Sequence, residues 1–251
     1  MKIAAIYDIH GNLPALEAVL KEIEQVHPDC ILVGGDIVSG PMPEETLERL
    51  LAIGDKVHFI RGNADREVVA AFDGIPLDPG LPEEVREVTT WVAKQLDTRH
   101  RDFLAQLPEQ AILHVDSLGD VLFCHASPRN DTEIFTVATP EARLRTILAG
   151  VKQNVVVCGH THMQYIRRIG NIDVVNAGSV GMPYGEPGAY WLLLGPAIVP
   201  QRTLYDLNQA GEHIRASDYP QAQDFADNNV LNPPPAAEVI EVFERMAETK
   251  N

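Results

Sequence analysis

The stretch YDIHGN, residues 7–12, follows an apolar run, Lys2–Ile6, that the hydrophobic pattern predicts as a short buried strand. Asp8 and His10 therefore stand at the end of a core strand. Burying an ionisable side chain costs free energy unless the charge is paired or binds a metal ion. The sequence thus raises the question of which groups pair with these two side chains.

Four further predicted strands also end in polar residues. In open α/β sheets, functional sites form where the carboxyl ends of the strands meet. We therefore expect these ends to converge on one cavity. The four strand ends read Gly34-Gly35-Asp36, Gly62-Asn63, Cys124-His125 and Gly159-His160-Thr161-His162. With the first strand, they would bring together seven side chains: Asp8, His10, Asp36, Asn63, His125, His160 and His162.

These seven side chains are of the types that bind transition metals. Carboxylate and imidazole groups together suit Mn, Fe, Zn, Ni or Co. A set without thiolates is typical of a catalytic centre and not of a closed structural zinc site. On an extended segment, residues two apart point to one side, so Asp8 and His10 are predicted to face one cavity, as are His160 and His162.

Glycine and cysteine residues near these strand ends have simpler predicted roles. We expect Gly34-Gly35 and Gly62 to let the backbone turn sharply with a positive φ. Cys30, Cys124 and Cys158 lie in apolar runs and form no CxxC pair. A free cysteine in such a run behaves as a small hydrophobic residue, so all three are predicted to be core residues and not metal ligands.

The composition limits the classes of function. A formal net charge of −16 over 251 residues argues against a nucleic-acid partner, which needs a basic face, and against an anionic membrane. It does not repel a divalent cation. No apolar run approaches the roughly 20 residues that span a bilayer. The N-terminal apolar stretch ends at Asp8, too early for a signal peptide, so we expect a cytoplasmic protein.

The order of predicted elements indicates one α/β domain with mixed sheets over residues 1–251. Strands and helices alternate up to Asn63, which implies parallel strands with right-handed crossovers. A helical insert interrupted by prolines is predicted at about 64–107, and a polar, helical tail at about 206–251, ending in a helix with an apolar side. The second half is predicted to be largely antiparallel, with strands Ala111–Val115, Val121–Cys124, Val155–Cys158, Tyr165–Ile169, Ile172–Val175 and Tyr190–Leu194.

The ordered set D-x-H, G-D, G-N, H, G-H-x-H resembles the signature of the calcineurin-like metallophosphoesterases. The resemblance covers roughly residues 1–195 and every block of that signature. The stretches HASPRND (residues 125–131) and NAGSVGMP (residues 176–183) are similar to blocks of the small bacterial and archaeal branch. The resemblance implies a four-layer α/β/β/α sandwich, in which two mixed sheets are flanked by helices.

The resemblance also implies a centre of two divalent metal ions, about 3.5–4 Å apart, at which a metal-activated hydroxide attacks phosphorus in line. Manganese is the first expectation, with Fe, Ni, Co or Zn as alternatives, and the substrate is a small phosphate ester. By matching positions, one ion would be held by Asp8, His10, Asp36 and His162. The other would be held by Asp36, Asn63, His125 and His160, with Asp36 shared. The residues expected to take part in catalysis are Asp36, Asn63, His125 and Asp65.

Two positions depart from the family pattern. The family's third block usually reads G-N-H-[DE], but Ala64 occupies the histidine position. General acid catalysis is worth roughly 10²–10⁴-fold, so the chain takes substrates with better leaving groups, uses another acid or is slow. Tyr184 stands where the small branch often has arginine. Arg66 and Arg129 are candidate substrate contacts or surface charges, and Asp65 is a candidate contact or a helix cap.

Three functions remain open from the sequence. A phosphodiesterase is favoured over a phosphomonoesterase, because the small branch often lacks the histidine replaced by Ala64 and resembles phosphodiesterases. A non-catalytic or weakly active protein-binding scaffold on the same fold is the second possibility, although such relatives tend to lose ligands. A phosphatase acting on phosphoprotein or on a nucleotide, such as a dinucleoside polyphosphate, is the third.

Overall fold

The first of two sheets is built around the strand that leads to Asp8. The computed structural model describes residues 1–249 of the chain. The strands of this sheet, in spatial order, are β10 (Ile198–Thr203), β9 (Ala189–Leu194), β1 (Ile3–Ile6), β2 (Cys30–Val33) and β3 (Val57–Phe59). β1, β2 and β3 are parallel, as predicted, whereas β9 and β10 are antiparallel additions on the other side of β1.

The second sheet contains the remaining strands of the predicted set. In spatial order the strands are β4 (Gln110–Val115), β5 (Gly119–Cys124), β6 (Val155–Cys158), β8 (Ile172–Asn176) and β7 (Tyr165–Ile169). The central strands, β5, β6 and β8, are parallel, and β4 and β7 pair antiparallel at the two edges. Both sheets are therefore mixed.

Helices flank the two sheets. They are α1 (Leu13–Val26), α2 (Pro43–Leu51), α3 (Asn63–Phe72), α4 (Glu83–Gln95), α5 (Thr98–Ala105), α6 (Glu141–Ile147), α7 (Leu207–Arg215), α8 (Ala222–Phe225) and α9 (Ala236–Thr249), with a short π-helical segment, Ala226–Leu231, before α9. α3, α4 and α5 form the predicted helical insert. The insert begins at Asn63, so this candidate ligand lies in the first turn of α3.

The alternation of side chains along β1 separates two of the three hydrophobic clusters. Ala5 packs with Phe123 of β5 in the core between the two sheets. Ile6 points to the opposite face, where it packs in a cluster with Leu16 of α1. Leu144 of α6 packs in a third cluster on the outer face of the second sheet. The continuous apolar runs of the central strands follow from this burial on both faces, and the predicted four-layer α/β/β/α sandwich is confirmed.

Two details differ from the sequence predictions. β10 was not predicted, because Pro200 interrupts its apolar pattern; it lies at the edge of the sheet, where proline is tolerated. The predicted apolar side of the last helix is only partly covered, since Val242 and Met246 of α9 are exposed while Ala247 is buried. The end of the predicted tail, residues 250–251, lies outside the described residues.

The predicted cysteine environments are confirmed. Cys30, Cys124 and Cys158 are free and buried. Within residues 1–249, none of the helices has both the length and the hydrophobicity needed to cross a bilayer.

Candidate metal centre

The candidate ligands lie just beyond the carboxyl ends of the strands, on backbone with unusual geometry. A positive φ is uncommon for residues other than glycine, and Asp and His adopt it more readily than most. Apart from His27 at the end of α1, the non-glycine residues of the described chain with positive φ are all predicted ligands. Their φ values are 52° for Asp8, 49° for His10, 52° for Asp36, 64° for His160 and 57° for His162.

The predicted pairs do not lie on extended backbone. Asp8 and His10 present ligand atoms to one cluster, whereas His160 and His162 present theirs to two neighbouring clusters, and in neither pair do residues i and i+2 share a side of an extended segment. Each pair instead lies on left-handed backbone that turns both side chains inward. The strain persists because the loops are tied together: the backbone N–H groups of Asp8 and His10 donate to the carbonyls of Gly35 (3.1 Å) and Asp36 (2.9 Å).

Of the three glycines predicted to turn the backbone with a positive φ, one does so. Gly35 has a φ of +92°, but Gly34 and Gly62 do not have positive φ. Gly34 and Gly62 are required by close approach: a Cβ on Gly34 would lie 2.0 Å from the Tyr7 ring, and one on Gly62 would lie 2.1 Å from Asp36 Oδ1. These two glycines therefore leave space for the Tyr7 ring and for the Asp36 carboxylate.

Asp8, His10 and His162 form the first donor group, in which one ligand atom from each lies within 4.8 Å of the others. Asp8 is fully buried. Its Oδ2 accepts the N–H of His160 at 2.9 Å, whereas its Oδ1 has no hydrogen-bond partner among residues 1–249. A buried, unpaired carboxylate oxygen is costly, and a cation would satisfy it.

The two histidines of this group present lone pairs to each other. The Nδ1 atoms of His10 and His162 lie 3.1 Å and 2.8 Å from the carbonyls of Ser39 and Met182. A carbonyl only accepts, so each Nδ1 carries the hydrogen. Burial lowers the pKa of both imidazoles, so both are neutral near pH 7 and each Nε2 bears a lone pair.

The two Nε2 atoms lie 3.2 Å apart. Two lone pairs at this distance repel each other in the absence of a hydrogen or a cation between them. Two ligand atoms that are each about 2.1 Å from one ion are separated by roughly 3.0–3.4 Å in octahedral or tetrahedral coordination. The spacing and the carbonyl-fixed tautomers therefore fit a shared metal ion.

Asp36, His125 and His160 form the second donor group. His125 Nδ1 lies 2.9 Å from the carbonyl of Gly34, which directs Nε2 to Asp36 Oδ2 at 3.3 Å. The same Asp36 oxygen lies 3.7 Å from His10 Nε2 in the first group. Asp36 therefore lies between the two donor groups, and its Oδ2 is within 4 Å of an imidazole Nε2 of each.

Asn63 completes the second group from the first turn of α3. In the orientation that satisfies its hydrogen bonds, its amide nitrogen lies 3.0 Å from His160 Nδ1 and 3.2 Å from His125 Nε2. Rotating the amide by half a turn brings its oxygen to the same place. The side chain can thus donate to a neutral imidazole, or turn its oxygen to a protonated imidazole or to a cation.

Neighbouring charges decide the pKa shifts of Asp36 and His125, whereas burial decides that of Asp8. Burial alone would raise the pKa of Asp36, but the imidazoles of His125, His10 and His160 outweigh burial and hold that pKa well below its usual range. Burial would lower the pKa of His125, but Asp36 and Asp8 raise it to about 10. The pKa of Asp8 is raised, chiefly by burial. A cation binding here competes with the proton on His125.

Asp65 holds backbone and does not face the donor groups. Its carboxylate is fully buried and accepts the N–H groups of Asp36 (2.8 Å), Ile37 (2.8 Å) and Gly62 (3.0 Å). Burial, followed by the charge of Asp36, raises its pKa to about 6. These contacts favour the helix-cap alternative and give Asp65 a positioning role, since it fixes the loop that carries Asp36.

The two candidate substrate arginines are both paired with carboxylates. Arg66 binds Asp131 through two nitrogens, at 2.7 Å and 3.2 Å. Arg129 binds Glu133 in the same manner, with Nε at 2.9 Å from Oε2. Neither guanidinium belongs to a donor group, and a contact with substrate would require each to leave its partner.

Glu67 was not singled out from the sequence. It is four residues after Asn63, so both side chains lie on one face of α3, and its carboxylate hydrogen-bonds to Asn63. Burial and the charge of Asp36 raise its pKa. Its spacing of four residues from Asn63 on a predicted helix is the sequence signal that could have identified Glu67.

Comparison with known proteins agrees with this geometry. Residues 1–194 match the sequence model of the calcineurin-like phosphoesterase superfamily domain, and the chain belongs to that family. By this match and by its relatives the chain is a metallophosphoesterase, a hydrolase of phosphoric esters. It is 28% identical over 204 residues to the phosphodiesterase YfcE of Escherichia coli, an alignment that covers 77% of this chain and 87% of the relative.

Two solved structures share the fold. A hypothetical protein of Pyrococcus horikoshii OT3 superposes with a TM-score of 0.79 at 20% identity, over 93% of this chain and 99% of that one. A metallophosphoesterase of Sphaerobacter thermophilus superposes with a TM-score of 0.69 at 24% identity, over 92% of this chain and 99% of that one. At these identities the superpositions support the architecture of two sheets flanked by helices.

Gly62→Ala is expected to disrupt the centre, because the added methyl group would overlap Asp36. Overpacking of this kind costs roughly 1–3 kcal/mol, and moving Asp36 weakens both donor groups. The matched control is Gly195→Ala, whose methyl group would meet nothing closer than Lys2 Cγ at 3.5 Å. Urea unfolding and Mn²⁺ titration of both variants test the prediction; equal behaviour of the two would contradict it.

Proposed function

We propose that the protein is a phosphodiesterase that works with two divalent transition-metal ions, with manganese the first choice and Fe, Ni, Co or Zn also suited to the donors. The observation that carries the proposal is the pair of buried donor groups with Asp36 between them. One ion would be held by Asp8, His10, Asp36 and His162, and the other by Asp36, Asn63, His125 and His160.

When bound, such ions supply Lewis acidity to the phosphoryl oxygens of a substrate. The protein's own residues prepare the site for them. The carbonyls of Ser39 and Met182 fix the tautomers of His10 and His162. Asp65 holds the backbone of Asp36, and Ala64 donates its N–H to Asp36 Oδ1 at 2.8 Å, which leaves Oδ2 directed at both donor groups.

The charges around the centre favour a diester over a monoester. Arg66 and Arg129 are neutralised by Asp131 and Glu133, so neither offers free positive charge to a phosphate. A diester carries one negative charge, whereas a monoester carries about −1.5 to −2 near pH 7. In a protein of formal net charge −16, the monoanion is the easier substrate to accommodate. The same reasoning disfavours phosphoproteins and polyphosphates.

Ala64 bears on the leaving group of the substrate. Its methyl group cannot protonate a leaving oxygen, so substrates whose leaving group is stable as an anion are favoured. An aryl phosphate ester meets this requirement. A purely protein-binding role is less well supported, because the buried donor groups, with their repelling lone pairs, are costly to maintain without a metal ion.

The direct test is hydrolysis after metal removal and restoration. The protein is stripped with chelator, Mn²⁺ is added back, and turnover of bis(p-nitrophenyl) phosphate is compared with that of p-nitrophenyl phosphate. We expect Mn²⁺-dependent turnover with the higher kcat/KM for the diester. A higher kcat/KM for the monoester would contradict the diester preference. Metal binding without turnover of either ester would instead favour the protein-binding scaffold.

Asp36→Asn is expected to lower kcat/KM by roughly a hundredfold or more while leaving the fold intact. Loss of residues that only orient ligands costs 10–100-fold, and Asp36 is shared by both donor groups. Asp29→Asn is the matched control, because Asp29 lies just before β2 and Asp36 lies beyond the other end of that strand. Near-normal turnover of Asp36→Asn, with circular dichroism unchanged, would exclude a two-metal centre that shares this residue.

Ala64→His is expected to raise the ratio of monoester to diester turnover by roughly tenfold, because a protonated imidazole adds positive charge that favours the more highly charged monoester. Ala70→His is the control: it lies on the same helix, is also half-buried and is six residues away. Steady-state kinetics with both p-nitrophenyl esters measure the ratio. An unchanged ratio in Ala64→His would show that position 64 does not set the preference.

A further inference from the structure

A line of three aromatic rings extends outward from the first donor group. The ring of Tyr184 stacks on that of His162, with ring centroids 5.7 Å apart and planes inclined by 22°. The ring of Phe243 meets Tyr184 edge to face, with centroids 6.1 Å apart and an angle of 68°. Tyr184 and Phe243 are both half-buried, so neither side chain is fully enclosed by the protein.

Phe243 belongs to a part of the chain that the family match does not include. It lies on α9, whereas the match ends at residue 194. The position of α9 is nevertheless fixed on the family domain. The N–H of Gly185, next to Tyr184, donates to the carbonyl of Pro234 at 2.9 Å, just before α9 begins.

A second set of contacts holds α9 from the side of Phe243. Glu244 accepts hydrogen bonds from the hydroxyls of Thr136, at 2.6 Å, and Thr139. Both threonines are fully buried. The residue next to Phe243 is thus inserted into a polar niche of the loop that follows the HASPRND stretch, and the Phe243 ring is held against Tyr184.

We propose that Tyr184 and Phe243 form an aromatic wall that binds the ester group retained on phosphorus and selects a planar aromatic group, either an aryl ring or a nucleobase. This inference rests on the proposed function. The wall adjoins His162 of the first donor group, whereas Ala64 follows Asn63 beside the second. A phosphate held by both groups, with its leaving group on the side of Ala64, would direct its retained substituent towards the wall.

The chemistry of the wall matches such a substituent. An aromatic ring stacks on another with an offset or an edge-to-face arrangement and gains free energy beyond the burial of its surface. Tyrosine and phenylalanine also lose little side-chain entropy when a ligand binds, because they have few rotatable bonds. With tyrosine at position 184 instead of arginine, this side of the site attracts an uncharged flat group and not a second phosphate.

The test keeps the leaving group constant and varies only the retained group. Three Mn²⁺-dependent substrates share p-nitrophenolate as leaving group: the methyl, the phenyl and the thymidine 5′ esters of p-nitrophenyl phosphate. The wild type is expected to have a higher kcat/KM for the phenyl and thymidine esters than for the methyl ester. Tyr184→Leu and Phe243→Leu are each expected to reduce this preference by roughly threefold to tenfold.

Two further variants separate selection from structural support. Tyr184→Phe retains the ring and is expected to retain the preference. Phe103→Leu removes one ring of a remote edge-to-face pair, Phe59 with Phe103, and is expected to leave the preference unchanged. If Tyr184→Leu weakened Mn²⁺ binding and slowed all three substrates equally, Tyr184 would merely support His162, and the wall would be rejected.

A binding measurement separates failure of the wall from failure of the proposed function. Calorimetric titration of the Mn²⁺-loaded protein compares methyl phenylphosphonate with methyl methylphosphonate, in which the varied group is held by a phosphorus–carbon bond that is not hydrolysed and methoxide is a poor leaving group. Tighter binding of the phenyl compound by the wild type, lost in Tyr184→Leu, supports the wall even if no ester is turned over. Equal affinities for the two compounds would overturn it even in an active phosphodiesterase.

Discussion

The burial of several potential metal ligands in one small volume is the constraint on which the rest of the structure depends. Two carboxylates and four imidazoles meet at the carboxyl ends of the strands, where Asp8 Oδ1 lacks a partner among residues 1–249 and two lone pairs face each other across 3.2 Å. Such an arrangement is costly without cations and stable with them. The central strands β1, β2 and β6, buried on both faces, supply the rigidity that keeps these groups together.

The backbone around the centre carries the strain that the arrangement requires. Ligands on left-handed backbone, glycines in contact with Asp36 and Tyr7, and the buried carboxylate of Asp65 all serve the same purpose. Together they turn each ligand side chain towards the centre within a few residues of the end of its strand. Strain of this kind persists where the surrounding hydrogen bonds over-determine the loop, as the bonds between the Asp8 and Asp36 loops do here.

The sequence was sufficient to predict one α/β domain with mixed sheets and the convergence of the strand ends, because both follow from hydrophobic periodicity and from the position of polar residues after each strand. The four-layer sandwich was implied by the resemblance to the calcineurin-like family. It could not supply contacts made through backbone atoms or between distant loops. The partners of Asp65 are amide groups, and the carboxylate that neutralises Arg66 comes from a loop 65 residues away. β10 was missed since Pro200 is compatible with a strand only at an edge.

The central claim is that two metal ions share Asp36, and anomalous diffraction from crystals soaked in Mn²⁺ tests it most directly. Two peaks are predicted, about 3.5–4 Å apart, one bounded by Asp8, His10 and His162 and the other by His125 and His160, with Asp36 between them. A single peak at saturating Mn²⁺, or two peaks of which one does not contact Asp36, would contradict the account.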